Sequence, residues 1–208
     1  MRVRTKICGL TTPDDAAAAV AAGADAIGLV FHDPSPRAVE PEAAAAIVAA
    51  LPPFVTVVGL FVDPEPAAVE TVMQQVPLDR LQFHGDEPEE LCRAFGRPYI
   101  KAVRMRADID LAAVMAAHPA ASGFLLDAWR PDRAGGTGEA FDWDRVPSQR
   151  PRPIILAGGL EPDNVAMAVQ RVAPWAVDVS SGVESLPGRK DPARMQAFIS
   201  EVQRGTTD

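Results

Sequence analysis

Eight short runs of apolar and β-branched residues recur along the chain, at 3–7, 26–31, 55–62, 80–83, 99–103, 123–126, 153–156 and 176–179. Each is followed by a longer stretch that suits a helix. Several of the runs are nearly continuous in apolar residues rather than alternating, the pattern of parallel strands covered on both faces. The Ala-rich stretches at 16–22 and 43–50 fall between runs and read as helices, because Ala has the highest helix propensity. Thr12-Pro13-Asp14-Asp15 and Glu161-Pro162-Asp163-Asn164 read as helix starts, where Pro is tolerated and acidic side chains favour the dipole. Eight strand–helix units in 208 residues give about 26 residues per unit, compact but sufficient for a (β/α)8 barrel. The expectation is therefore an α/β protein with a single TIM-barrel domain over 1–208. A doubly wound sheet is the alternative, but the first run lacks the G-x-G-x-x-G turn of a dinucleotide fold. The Gly-rich 134–138 segment reads as a mobile loop.

The formal net charge of -8 sets the overall field against polyanions. No nucleic-acid partner and no membrane contact are expected, and any anionic ligand has to be held by a local site. A small phosphorylated molecule fits. Only Cys8 and Cys92 occur, so neither a disulfide framework nor a paired metal-ligand spacing is present. That usage points to a reducing cytoplasm, with no metal expected. No signal-peptide pattern and no long apolar span is read, and without an obvious exposed apolar stripe the expectation is a monomer.

In a TIM barrel the site is built at the C-terminal ends of the strands, which makes the residues after each run the informative ones. Cys8-Gly9 follows the first run, and Pro-bracketed Ser35-Pro36-Arg37 lies just after the second. His84-Gly85 follows the fourth and Asp127 the sixth. Ala157-Gly158-Gly159 and Ser180-Ser181-Gly182 end the last two. Glycines on adjacent strand ends let backbone N–H groups approach phosphate oxygens, with a following helix N-terminus to help. Each pair could equally serve only a tight turn, but the two together favour phosphate.

Cys8 stands beside Lys6, and a nearby cation raises the thiolate fraction of a thiol. The common alternative is a small buried hydrophobe, the reading kept for Cys92. Asp127 closes an apolar run where a carboxylate is costly unless paired, hydrated or functional; a turn cap is its bland alternative. Arg37 offers a planar fork suited to a substrate carboxylate, against the default of a solvated surface charge. His84 either orients a neighbour or caps its strand.

These residues sit in segments that resemble the phosphoribosylanthranilate isomerase family. The matching segments are KICGL at 6–10, GLVF at 28–31 with SPR at 35–37, GLFV at 59–62, QFHG at 82–85 and LLDA at 125–128. GGTGEAFDW at 135–143, LAGGL at 156–160, VDVSSGVE at 177–184 and PGRKD at 187–191 complete the set. Their order and spacing are specific where any one is weak. Phe83 stands where the family often has Leu and Arg189 where it often has Val.

The resemblance implies a cofactor-free Amadori rearrangement of N-(5-phosphoribosyl)anthranilate in tryptophan biosynthesis. It implies Cys8 as general base and Asp127 as general acid. It places Arg37 against the anthranilate carboxylate, His84 in the site, and Gly138, Gly158, Gly159, Ser181 and Gly182 around the phosphate. Two rivals remain at this level. One is another phosphosugar barrel enzyme, such as an indole-glycerol-phosphate synthase or a histidine-pathway isomerase; the histidine-pathway isomerases resemble one another in carrying a carboxylate where Cys8 stands. The other is a non-catalytic phosphometabolite-binding barrel, whose signature is a lost acid or base.

Overall fold

A computed structural model describes residues 2–128 and 141–207. Its frame is a closed barrel of eight parallel strands in sequence order: β1 (Arg4–Cys8), β2 (Ala26–Val30), β3 (Thr56–Phe61), β4 (Arg80–Phe83), β5 (Tyr99–Arg104), β6 (Gly123–Asp127), β7 (Ile154–Leu156) and β8 (Ala176–Val179). Parallel pairing of β8 with β1 closes the ring. Every expected strand is present, with ends shifted by a residue or so. The connecting helices are α1 (Pro13–Ala22), α2 (Pro41–Ala49), α3 (Pro66–Gln75), α4 (Glu89–Arg93), α5 (Leu111–Ala117), α6 (Val165–Val172) and α7 (Pro192–Thr207).

The strands are apolar on both faces because each face has its own core. Val58, Ile100, Ala102, Leu125, Ile155 and Ala176 point inward and fill the barrel. Their neighbours in sequence, including Ile27, Val57, Leu81, Phe124 and Val177, pack outward against the helices. This strand-by-strand alternation follows from the two-residue period of the pleat. It also sends Lys6, Cys8, Gln82, Asp127 and Asp178 to the inner face, at the registers Lys6 to Asp178 and Cys8 to Gly28.

Thr12 caps α1, its Oγ1 accepting from the Asp15 N–H at 3.1 Å, as the Thr-Pro-Asp-Asp signal predicts. The second start signal works differently. Asn164 folds back, its Oδ1 accepting from Glu161 N–H at 3.0 Å and its Nδ2 donating to Gly159 O at 2.8 Å. The Glu-Pro-Asp-Asn segment is therefore a turn ahead of α6 rather than its first turn. Between β6 and β7 the described residues contain only a short 3-10 turn, Trp143–Arg145. Pro147, Pro151 and Pro153 deny that stretch a helix. The 134–138 segment read as a mobile loop lies outside the described residues. A hairpin absent from the sequence reading, β9 (Glu184–Leu186) and β10 (Arg189–Lys190), follows β8.

The β4–α4 loop is pinned from behind. Lys101, on the outward face of β5, donates to Gly85 O at 2.6 Å and to Glu87 Oε2 at 2.9 Å. Glu87 in turn accepts from the N–H groups of Asp63 and Gly85. Both side chains are buried. Burial alone would raise the Glu87 carboxyl, but Lys101 and the N–H donors hold it below its ordinary range. Such a depressed carboxylate stabilises the fold above its unfolded value, near 4.5, and that contribution is lost as pH falls through the lower folded value. Lys101→Met strands the buried carboxylate and is expected to cost about 3 kcal/mol or more. Urea unfolding at pH 7 measures it, and the Lys101→Met/Glu87→Gln pair should cost less than Lys101→Met alone.

Candidate active site

A cleft opens at the C-terminal ends of the strands and is lined by Cys8, Arg37, His84, Arg104, Asp127, Gly158, Gly159, Asp178, Ser180 and Ser181, among others. The barrel gathers these from β1, β2, β4, β5, β6, β7 and β8. Another depression, at the opposite end around Val3, Arg150 and Trp175, is larger, but its Arg150 is spent on the carbonyls of Pro147, Val172 and Ala173. No acid–base pair faces it among the described residues.

Asp127 is the last residue of β6 and is buried. Its Oδ2 lies 3.1 Å from His84 Nε2, while His84 Nδ1 lies 2.9 Å from Gln82 Nε2. With the Gln82 amide donating to Nδ1, the imidazole keeps its proton on Nε2 and donates to Asp127; that tautomer is assigned by the hydrogen-bond network. Among the described residues, Gln82 Oε1 has no partner. Asp127 Oδ1 takes no hydrogen bond from the described residues. It faces the next strand end, where a Cβ on Gly158 would come within 2.8 Å of it and within 2.1 Å of the Ala128 nitrogen. Gly158 also has φ +78°. Only glycine fits there without displacing the carboxylate.

Cys8 sits across the cleft on β1 and is buried. Lys6, two residues earlier on the same face, donates to Asp178 Oδ1 at 2.8 Å, and both side chains of that pair are buried. Gly28, opposite Cys8 in register, makes room for them: a Cβ there would stand 2.6 Å from Cys8 Sγ and 3.1 Å from Lys6 Cε. The expected cation is therefore in place, but it does not win. Burial pushes the Cys8 thiol up, Lys6 offsets part of that, Asp178 adds to it and Lys190 opposes it. Lys6 itself stays firmly charged, since Asp178 and Cys8 outweigh the burial that would neutralise it.

Arg37 lines the cleft, but its fork is not idle: Nε and Nη2 donate to Glu184 at 2.8 and 2.7 Å. Gly158, Gly159 and Ser181 lie together on the cleft wall. Gly182 lies behind it, where a Cβ would stand 2.0 Å from Leu160 O. It is a close contact between the ends of β7 and β8, so bulk there strains the fold as well as any ligand. Gly138 lies outside the described residues. Cys92 is buried in α4, its thiol pushed up to about 12 by burial, as a structural cysteine would be.

The N-(5'phosphoribosyl)anthranilate (PRA) isomerase family model matches residues 5–201. The chain belongs to the phosphoribosylanthranilate isomerase family. It is 60% identical over 202 residues to the N-(5'-phosphoribosyl)anthranilate isomerase of Pseudomonas fluorescens Pf-5, covering 97% of this chain and 96% of that one. A crystal structure of phosphoribosyl anthranilate isomerase in complex with reduced 1-(o-carboxyphenylamino)-1-deoxyribulose 5-phosphate superposes with TM-score 0.85 at 42% identity, covering 96% and 98% of the two chains. A structure of monomers of the dimeric enzyme from Thermotoga maritima gives TM-score 0.84 at 39% identity, again covering 96% and 98%.

Within this phosphoribosylanthranilate isomerase fold, sequence reasoning missed Asp178, Arg104, Gln82, Glu184 and Lys190. Asp178 carried the signal that exposed Asp127, a carboxylate inside an apolar run. Arg104, whose Nη2 donates to His84 O at 3.1 Å, ends β5 as Asp127 ends β6 and was open to the same logic. Glu184 and Lys190 carried none, because the hairpin that brings them in has no local pattern.

The charges around Cys8 set a test with two signs. Lys6→Met should push the thiol higher and slow its alkylation by iodoacetamide at pH 8; Asp178→Asn should do the opposite. Peptide mass spectrometry separates Cys8 from Cys92. Shifts in the same direction for both variants would mean that packing, not charge, controls the thiol.

Proposed function

We propose that Cys8 and Asp127 divide the two proton transfers by which this isomerase converts N-(5'-phosphoribosyl)anthranilate to the 1-deoxyribulose isomer. The observation that carries this is their placement at the ends of β1 and β6, both lining one cleft. As the acid, Asp127 gives a proton to the furanose ring oxygen from Oδ1, which takes no hydrogen bond from the described residues, while Oδ2 accepts from His84 Nε2. The bond from the ring oxygen to C1′ breaks, and the anilino nitrogen supplies the pair that forms the iminium. The His84 N–H then stabilises the carboxylate left behind, as a charge-assisted hydrogen bond does.

The iminium acidifies C2′–H, so the Cys8 thiolate removes it and an enolamine forms. The enolamine takes a proton at C1′ and releases the one on its O2′ hydroxyl, giving the ketone. One proton has passed from Asp127 to Cys8, and no electrons leave the substrate. No metal or cofactor takes part. Phosphate is held at the strand ends of β7 and β8, by backbone around Gly158, Gly159 and Ser181, with Gly182 supporting from behind. Arg37 meets the anthranilate carboxylate.

The enzyme works in the cytoplasm as a monomer. Among the described residues the exposed large apolar side chains, Phe54, Met167, Trp175 and Leu186, come from separate elements, and Arg4 covers the Trp175 ring at 3.7 Å. Analytical ultracentrifugation decides this; a dimer would refute it, and the wholly exposed Phe54 would then be the first side chain to replace.

Cys8→Ala and Asp127→Asn should each lower kcat on the order of 10²-fold or more, as loss of a general acid or base does. Loss of substrate fluorescence follows the reaction. Deuterium at C2′ should slow the wild-type enzyme when that transfer limits the rate. Because burial raises the Cys8 thiol, kcat/KM should climb with pH on its acidic limb, and Lys6→Met should move that limb to higher pH. Near-normal turnover of Cys8→Ala would end the base assignment, and near-normal turnover of Asp127→Asn the acid assignment.

A further inference from the structure

Arg37 is gripped by a carboxylate of the chain itself. Glu184 Oε1 and Oε2 accept from Nε and Nη2 at 2.8 and 2.7 Å, a side-on bidentate pair. A guanidinium has five N–H groups. This pairing takes two, and leaves the end-on edge, Nη1 with one N–H of Nη2, uncommitted among the described residues. The stem is fixed as well. It lies across Gly9, where a Cβ would stand 2.5 Å from Arg37 Cδ, and Gly9 has φ +74°. The Arg37 N–H donates to Ser35 Oγ at 3.1 Å.

Glu184 is held just as firmly. Lys190, on the other strand of the hairpin and fully buried, donates to the same Oε1 at 2.7 Å and to Ser180 O at 3.2 Å. Arg194 Nη1 holds the Glu184 carbonyl at 3.2 Å. Two cations thus share one carboxylate, which leaves this corner of the cleft with a net charge of about +1. Asp178, the nearby carboxylate that lines the cleft, is committed to Lys6 and does not cancel it.

We propose that Glu184 is a positioning residue for substrate recognition: by occupying one edge of the Arg37 guanidinium it aims the other at the aromatic carboxylate of the substrate. Lys190 keeps the corner positive. This rests on the reading of Arg37 given above and extends it to the hairpin, whose place in the fold is to present Glu184 and Lys190 to a side chain from the opposite flank of β1. The selectivity of the enzyme for a ring-carboxylated substrate then depends on the Glu184 carboxylate behind the guanidinium as well as on Arg37 itself.

The test compares two ligands by calorimetry, the reduced product analogue with its ring carboxylate and the same molecule without it. Wild type should prefer the carboxylated ligand, and Arg37→Met should abolish the preference. Equal affinities in wild type, or an unchanged preference in Arg37→Met, would refute the Arg37 reading and this inference with it. Glu184→Gln should weaken the carboxylated ligand on the order of 10-fold or more, as lost aim of a charge-assisted hydrogen bond does, and leave the other ligand unchanged. KM should rise more than kcat falls. In an Arg37→Met background, Glu184→Gln should change neither affinity. Should Glu184→Gln fail to fold, Glu184→Gln/Lys190→Met removes one charge of each sign, conserves the net charge and keeps the question open to measurement. Retained preference for the carboxylated ligand in either Glu184 variant, with Arg37→Met losing it, would overturn the proposal while leaving Arg37 in place. Equal weakening of both ligands would overturn it too, since it would make Glu184 a structural residue only.

Discussion

The ion pair between Lys6 and Asp178 crosses the seam where the first and last strands of the barrel meet. Two charges buried in the barrel interior carry a desolvation cost that their attraction offsets only when the geometry is good. The 2.8 Å contact requires Lys6 opposite Asp178 in the β1–β8 register. A slip of one residue would turn each side chain to the other face, sending a lysine and an aspartate into the apolar layer under the helices. The pair thus favours the register that closes the ring, and the same register brings Cys8 to the mouth of the cleft. Closure and chemistry share a constraint.

Around that seam the site is organised as paired charges, each functional group with a partner behind it. Asp127 has His84, and His84 has Gln82. Cys8 has Lys6, and Lys6 has Asp178. Arg37 has Glu184, and Glu184 has Lys190. In every case a side chain at the cleft is held by a second one, so its orientation is set by the fold before a ligand arrives. Glycines occur where two of these groups pass close to backbone, at Gly28 beside Cys8 and Gly158 beside Asp127, because any side chain there would displace its neighbour.

Much of this was legible in the residues. The eight apolar runs gave eight strands, since a parallel strand covered on both faces writes its pattern locally. Cys8, Arg37, His84 and Asp127 stood out because barrel topology brings strand ends together whatever lies between them. The reading faltered where a local signal had two structural outcomes. Glu161-Pro162-Asp163-Asn164 has the composition of a helix start, yet Asn164 hydrogen-bonds backward and makes a turn. Lys6 beside Cys8 suggested an activated thiol, but proximity in sequence says nothing of burial, and burial pushes the thiol the other way.

The sequence by itself determined the barrel, the identity of the groups at its mouth and the family to which their spacing belongs, because each of these is encoded within a strand and the few residues after it. Tertiary structure decided which charge partners which. Lys6 and Asp178 are 172 residues apart, and Arg37 and Glu184 are 147 apart. No pattern along the chain marks such pairs, since any of the 20 basic residues could in principle meet any of the 28 acidic ones. Only the register of the closed sheet and the path of the β9–β10 hairpin bring these within hydrogen-bond distance, and only burial there makes the pairing costly to break.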